Sequence, residues 1–395
     1  MSEELGFEVE LLTEGRVRFY APKIPPEPGF APSELPAFFN PASKPSRDMA
    51  VLFLRSWFNR KVTICEPLAG TGVRTLRLIV ESGVVEKASA NDISVNAYKL
   101  IKKNAELNGL QDKVEAYNLD ANEFLASRGR GRPRYDYVDV DPAGTPVPYM
   151  ENGFRGCGKN SVLGATATDL SALTGAKPKP CWRKYDAWPL RAGPFRMEVA
   201  LRILAGFMAR TAARIGLAAR PILSFRKDHY VRVFVGVERG KEKAKQVLGE
   251  LGWMSHCGKC LATYSERLWN PPPSSCPRCG EVLEYAGPLW LGTLTRGEIA
   301  SKMLEHALSD EEVYGDVIPM LRLMSQEDTG IPGYYPVNYI ASRLKKSPVK
   351  PGKLIEELRS MGYRATPTHL DPGAVKTDAE PEDLKNAFEA ASRND

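Results

Sequence analysis

Cysteine is scarce in this chain, and so are the features that would send it out of the cell or into a membrane. Seven cysteines in 395 residues are too few for a disulfide scaffold. Four of them fall in two close pairs that read better as metal ligands, which fits a reducing compartment. The N-terminus MSEELGFEVE is acidic and has no apolar signal core, and the longest apolar helical stretch is interrupted by Arg202 and Arg210. The expectation is a soluble cytoplasmic protein with no membrane partner. There is no internal repeat, which sets aside a solenoid. Nor is there a large charge excess: the formal net charge is +6, which alone does not establish nucleic-acid binding. Basic residues do cluster, in RGRGRPR (128–134) and AKPKPCWRK (176–184), where a phosphate-rich partner could be held.

With 43% apolar and 26% charged residues the chain has the makeup of a globular protein, and its length fits two domains. The first is expected over residues 1–240. Residues 21–47 are rich in proline and should form an extended arm. DMAVLFLRSWF (48–58) reads as a helix with Asp48 as its first-turn acid. KVTICEP (61–67), EKASANDIS (86–94), KVEAYNLD (113–120), YDYVDVDP (135–142) and SVLGATATD (161–169) each read as a strand ending in a polar turn, with helical stretches after the first two. That alternation predicts an α/β fold: a Rossmann-like parallel sheet with helices on both faces. A long helix at 197–216 and two closely spaced strands at 221–238 complete it.

In such a sheet the ligand crevice lies beyond the carboxyl ends of the strands, where strand order reverses. EPLAGTG (66–72) falls there if KVTIC is the first strand. Gly70 and Gly72 let backbone approach a ligand, and the helix that follows offers free amides. The turn lacks the third glycine of a dinucleotide fingerprint, carrying Thr75 there, and Glu66 before it disfavours a pyrophosphate. Asp92 ends the next strand 20 residues after Gly72, placed for ribose hydroxyls, and Asp120 ends the third, placed for an adenine amine. Each acid alone also suits a turn or helix cap. The three features in order favour S-adenosylmethionine over NAD.

The fourth strand ends VDVDPAGTP (138–146), putting Asp141 beside the expected methyl group. An exocyclic amine on a nucleobase is a poor nucleophile because its lone pair is delocalised into the ring. A carboxylate hydrogen-bonded to its N–H aligns the lone pair and takes the proton as nitrogen becomes cationic. Pro142 fixes the turn and Gly144 admits the base closely.

The second domain is expected over 241–378 with an α+β makeup, and 379–395 as a disordered tail. HCGKC and CPRCG supply Cys257, Cys260, Cys276 and Cys279: a CxxC pair, fifteen intervening residues and another CxxC. Four thiolates at this spacing make a closed tetrahedral zinc site that is structural, within a module at about 253–285. His256 is not expected to be a ligand, and Cys65, Cys157 and Cys181 are expected to be buried or incidental. Residues 334–370 read as helix, turn, helix and a basic wing, similar to a winged helix, with Arg343, Lys345, Lys346, Lys350 and Lys353 available to a phosphate backbone or simply solvated.

Taken together, FFNP with SRD (38–48), the glycine turn with Arg74, NDIS (91–94), LDA (119–121), VDVDPAGTP, TATD (166–169), RKYDAWPLR (183–191), KDHYVRVFV (227–235) and GPLWLG (287–292) resemble one family. It is the tRNA (guanine-26) N2-dimethyltransferases of archaea and eukaryotes, of the class I S-adenosylmethionine-dependent methyltransferase type, and the likeness runs over about residues 8–376. TATD followed by KPCWRKY is specific to that family, whereas the glycine turn is shared by many methyltransferases. The resemblance implies two successive methyl transfers to the guanine N2 of tRNA. It assigns Arg47, Arg74, Asp92, Ile93, Asp120 and Ala121 to the cofactor, Asp141 to the guanine amine, and Phe38 to clamping the base. The chain departs from the pattern at Ala143, where the family usually has phenylalanine, leaving Phe38 or Phe39 to stack on the base. A monomer is expected. Two other readings stay open: methylation of another nucleic-acid amine, in ribosomal RNA or DNA, and a non-catalytic zinc-ribbon protein that binds nucleic acid.

Overall fold

A computed structural model describes residues 5–25, 30–128 and 133–393. The centre of the arginine run at 128–134 lies outside the described residues. The chain divides into two compact units: Met1–Ala167 with Gly236–Arg239 and Lys302–Pro319, and Thr168–Val235 with Gly240–Ser301 and Met320–Asp395.

The first unit opens with an antiparallel hairpin, β1 (Val9–Glu14) and β2 (Val17–Pro22), whose second strand takes in the first two residues of the arm expected over 21–47. The arm proper holds two short 3-10 turns, Pro32–Glu34 and Pro41–Ser43. The helix after it spans Lys44–Trp57, four residues earlier than the sequence suggested, because Pro45 suits a first turn whose amides need no partner. Asp48 is therefore not a first-turn acid. It is buried, paired with Arg77 at 2.7 Å and Lys44 at 2.7 Å.

β3 (Val62–Glu66), β4 (Val85–Asn91), β5 (Val114–Tyr117), β6 (Tyr135–Val140) and β7 (Cys157–Ala167) are parallel neighbours. β8 (Leu217–Lys227) and β9 (Tyr230–Arg239), joined by two residues, complete a seven-stranded sheet of order β5-β4-β3-β6-β7-β9-β8. The chain leaves β3 toward β4 and later returns on its other side as β6, so the order reverses between β3 and β6. Glu66 and Asp141 stand at that reversal. The helix Val73–Ser82 between β3 and β4 is bounded by two left-handed glycines, Gly72 and Gly83, which start and stop it without a side-chain cap.

The second unit begins well before the expected boundary near 240. Its longest helix, Arg196–Arg214, buries Arg202, which bonds Glu198 at 2.8 Å and donates to the carbonyls of Trp290, Gly292 and Thr329 at 3.0, 3.0 and 3.1 Å. An ion buried this way needs those distant partners, so the helix belongs with residues after 240. Conversely Lys302–Pro319 belongs to the first unit, where Tyr314 donates to Glu81 at 2.9 Å and the Val313 carbonyl accepts from Lys44 at 2.8 Å. Neither return is marked by composition.

β10 (Leu251–His256), β11 (Thr263–Arg267) and β12 (Glu284–Trp290) form an antiparallel sheet carrying the cysteines. Further on, the helices Val337–Leu344 and Pro351–Ser360 are followed by β14 (Ala365–Pro367) and β15 (Ala374–Thr377), and β15 pairs with both β14 and β13 (Tyr335–Pro336), as in a winged helix. The expected disordered tail is instead a helix, Pro381–Arg393, whose Leu384, Ala387, Phe388 and Ala391 are buried with Leu354 and Leu358. Burying a leucine and a phenylalanine contributes about 1.5–3 kcal/mol each, enough to hold a polar-looking helix in place.

Candidate active site

The turn after β3 is fixed by backbone bonds from Ala69 N to Asn91 O (2.9 Å) and Gly72 N to Ala69 O (2.8 Å). Gly70 has φ +54° and Gly72 φ +78°, and a Cβ at Gly70 would stand 2.4 Å from the Phe38 carbonyl oxygen. No side chain fits there, so the arm can lie directly on the turn.

Asn91 ties the strand ends together. Its amide donates to Pro67 O (2.9 Å) and Leu119 O (3.0 Å), and its oxygen accepts from Leu119 N (3.1 Å). Asp92 follows, accepting from Gly70 N and Ser94 N, one per carboxylate oxygen, both at 2.9 Å. Each oxygen keeps a lone pair for a hydroxyl. Burial pushes the Asp92 carboxyl above its ordinary range, offset by those two backbone bonds. Ile93 presents an apolar side chain, 68% exposed. Asp120 is exposed and caps the helix Ala121–Ala126, its Oδ1 accepting from Asn122 N (2.8 Å) and Glu123 N (3.2 Å), while Ala121 is buried in that helix's first turn. The capping role foreseen as an alternative for Asp120 is thus present, and it leaves Oδ2 outside the cap.

The densest charge lies between β3 and β6. Arg74, buried, reaches Glu66 at 3.1 Å, Asp139 at 3.3 Å, Asp141, and Ser46 Oγ at 3.5 Å. Tyr137 donates to Asp139 at 2.6 Å, and Thr75 donates to Glu66. Burial pushes the Glu66 carboxyl up to about 8, against the pull of Arg74. The three carboxylates more than offset the burial of Arg74 and raise its pKa. Because Glu66 in the folded chain lies above its ordinary 4.5, its contribution to stability is full below 4.5 and lost as pH rises through about 8. The wild type should therefore lose melting temperature between pH 6 and 9 and Glu66→Gln should flatten that fall, measured by thermal unfolding across the range; parallel curves would refute it.

Asp141 follows β6 with its side chain 22% exposed, whereas Asp139 is fully buried. Pro142 is buried and Gly144, at φ +112°, continues the turn. Phe38 is 41% exposed. Phe39 is core, edge-on to Phe19 at 5.2 Å with the Arg47 guanidinium 5.7 Å over its ring, so of the two arm aromatics Phe38 is the one presented to solvent. Arg47 is buried and engaged with Glu14, through Nε at 2.7 Å and Nη2 at 2.5 Å, and with Asn40 O at 3.2 Å. It is thus held beneath the arm rather than among the strand ends.

Sequence reasoning missed Asn91, Tyr137 and Asp139. The signal was available: in YVDVD (137–141) alternate residues share one face of a strand, so Tyr137, Asp139 and Asp141 face the same way.

In the second unit Asp169 of TATD accepts from Tyr185 at 2.6 Å and Lys184 at 2.9 Å, which makes that pair of motifs one structural cluster. The sulfurs of Cys257, Cys260, Cys276 and Cys279 lie within 4.8 Å of one another, with Cys257 to Cys279 at 3.4 Å and Cys260 to Cys276 at 3.6 Å. A tetrahedral zinc with Zn–S bonds of about 2.3 Å sets its sulfurs about 3.8 Å apart, so the four fit that ion and are too far apart for disulfides. His256 points elsewhere, toward Tyr339 Oη at 3.1 Å. Cys65, Cys157 and Cys181 are buried.

Residues 15–389 match the family model described as N2,N2-dimethylguanosine tRNA methyltransferase. The chain is 35% identical over 348 residues to the tRNA (guanine(26)-N(2))-dimethyltransferase of Methanothermobacter thermautotrophicus, covering 87% of this chain and 90% of that protein. It is also 35% identical over 343 residues to the tRNA (guanine(26)-N(2)/guanine(27)-N(2))-dimethyltransferase of Aquifex aeolicus, covering 85% and 86%. Among solved structures, the complex of Trm1 from Pyrococcus horikoshii with S-adenosyl-L-methionine superposes with a TM-score of 0.84 at 33% identity, covering 96% of this chain and 99% of that one.

Proposed function

The chain belongs to the N2,N2-dimethylguanosine tRNA methyltransferase family, and from that premise we propose how its residues carry the family's reaction. The protein is an S-adenosylmethionine-dependent enzyme that dimethylates the N2 of guanine 26 in tRNA. Its fold is the class I methyltransferase sheet. The observation that carries the assignment of roles is the partly exposed Asp141 carboxylate at the end of β6, held by Arg74 beside the glycine turn.

The donor supplies an electrophilic methyl group on a sulfonium. The residues at the strand ends suit it: Gly70 and Gly72 for close backbone approach, Asp92 for paired hydroxyls, Ile93 for an apolar ring face, and Asp120 with Ala121 for a ring amine. Glu66 and Arg74 shape the floor of this site, and Arg47, through Glu14 and the Asn40 carbonyl, fixes the arm that carries Phe38 beside it. Asp141 accepts a hydrogen bond from the guanine N2–H, which turns the lone pair toward the methyl carbon. As the new N–C bond forms and the methyl–sulfur bond breaks, with the donor leaving as a neutral thioether, the proton on that nitrogen would pass to the same carboxylate. Pro142 and Gly144 keep the turn low enough for the base to reach it, and Phe38 stacks on the base in place of the aromatic that Ala143 does not provide.

Zinc at the four cysteines is a structural ion, with no coordination position left for water. The basic side chains Arg343, Lys345, Lys346, Lys350 and Lys353 hold the tRNA backbone. No helix among the described residues is long and apolar enough to cross a membrane. We place the enzyme in the cytoplasm, as a monomer, where its tRNA substrate is found.

The test is incubation with labelled S-adenosylmethionine and unmodified tRNA transcripts, followed by nucleoside analysis. N2,N2-dimethylguanosine should form and vanish when guanine 26 is replaced by adenine. Label in another nucleoside, or none, would refute the substrate assignment.

A further inference from the structure

The guanidinium of Arg74 is the one cation that touches Glu66, Asp139 and Asp141 together among the described residues. Its three nitrogens are divided among them: Nε faces Glu66, Nη1 faces Asp139 and Nη2 faces Asp141. A planar fork can serve three partners in fixed directions, which a point charge such as an ammonium cannot. The two inner partners are themselves braced. Asp139 accepts from Tyr137 at 2.6 Å and is fully buried, and Glu66 accepts from Thr75. The helix Lys44–Trp57 adds Ser46 Oγ at 3.5 Å. The fork is thereby anchored at one side to groups with no freedom to move, and its remaining corner meets the only one of the three carboxylates with appreciable exposure, 22% for the Asp141 side chain.

We propose that Arg74 is a positioning residue for Asp141, fixing the direction of that carboxylate through the buried brace of Glu66, Asp139 and Tyr137, so that it is required for the transfer step itself and not only for holding the donor. The inference rests on the methyl-transfer reading above. A carboxylate attached through one methylene rotates about two bonds, and orientation is what an amine with a delocalised lone pair demands of its acceptor. The groups facing Arg74 are Glu66 from β3, Tyr137, Asp139 and Asp141 from β6 and its end, Thr75 beside it, and Ser46 from the arm-side helix. The cluster carries more negative than positive charge, so loss of the guanidinium would both remove the fork that directs Asp141 and set like charges against each other.

The discriminating variant is Arg74→Lys, which keeps the charge and loses the fork. Donor affinity is measured by calorimetry, so that transfer can then be followed in a single turnover at saturating donor and tRNA. The saturated rate should fall about 100-fold and stay low however much donor is added, as a misplacement of about 1 Å costs about that much. A crystal structure of Arg74→Lys should show the Asp141 carboxylate turned from its wild-type direction. If Arg74→Lys does not fold, Tyr137→Phe, which removes the hydroxyl that donates to Asp139, should lower the saturated rate several-fold with donor affinity unchanged. Full recovery of rate at saturating donor, or an Asp141 carboxylate unmoved in the variant crystal, overturns the proposal. A wild type that methylates no tRNA would refute the activity reading, and the crystal comparison would still decide the role of Arg74.

Discussion

Asp141→Ala should lower the rate of methyl transfer by about 10³-fold while leaving donor affinity within about threefold of wild type. A positioned proton acceptor contributes about 10² to 10⁴ in rate, and here the same carboxylate also orients the nucleophile. The separation of effects follows from where the groups stand. The proposed donor contacts sit on the turn after β3 and at the ends of β4 and β5, whereas Asp141 follows β6 and pairs with Arg74. Removing it leaves Arg74 with Asp139 as counter-charge and Glu66 as a further hydrogen-bond partner, so the variant should fold. Asp141→Asn should lose nearly as much, because an amide keeps the shape but cannot take the proton. Calorimetry with the donor and single-turnover transfer to a tRNA transcript measure the two quantities. Transfer at the wild-type rate in either variant would remove the assigned role.

Most of the sheet was legible because its strands are apolar runs closed by acids and turn residues, and the long helix because its buried face persists over five turns. What stayed hidden was tertiary. Nothing in residues 302–319 says that Tyr314 will bond Glu81 in the first unit, and nothing in Arg202 says that it will gather three carbonyls from 290, 292 and 329. The tail misled for a different reason: PEDLKNAFEAASR is polar on three sides, and its single apolar stripe earns its order only against Leu354 and Leu358. At the site, the chemistry-bearing acids could be named one by one, but not their sharing of one arginine. Arg74 reads as a ligand contact from its place after the glycine turn, and only the packing of β3 against β6 shows that it is surrounded by carboxylates. Phe38 and Phe39 are adjacent and alike in sequence; their opposite burial follows from Phe19 and Arg47 enclosing one of them.

Cys276→Ser should abolish stoichiometric zinc and unfold the region around β10, β11 and β12 at a markedly lower temperature, with donor binding retained. The cysteine module has little else to hold it. Its apolar cluster is Cys257, Ala262, Cys276 and Leu283, with Tyr264 packed alongside, which is far too small to offset the entropy of ordering two knuckles and the long strand connection between them. The knuckles are closed by two backbone bonds each, Leu261 N to Cys257 O at 3.0 Å with Cys257 N to Ala262 O at 2.9 Å, and Gly280 N to Cys276 O at 2.9 Å with Cys276 N to Glu281 O at 2.7 Å. A structural zinc supplies about 10–16 kcal/mol in isolated fingers, so one missing thiolate costs several kcal/mol even if water replaces it. Cys276 is the most telling choice because it is buried and stands 3.6 Å from Cys260 and 3.4 Å from the Tyr264 hydroxyl, so a serine there leaves a shorter, harder oxygen among groups arranged for sulfur. Metal analysis of purified wild type should give one zinc per chain, and the variant well under half. Donor affinity, which we assign to residues after β3, β4 and β5, should change by less than about threefold if the metal is structural; a large loss of donor binding, or a wild type purified without zinc yet melting at the same temperature after chelation, would show that the four thiols hold this region by other means.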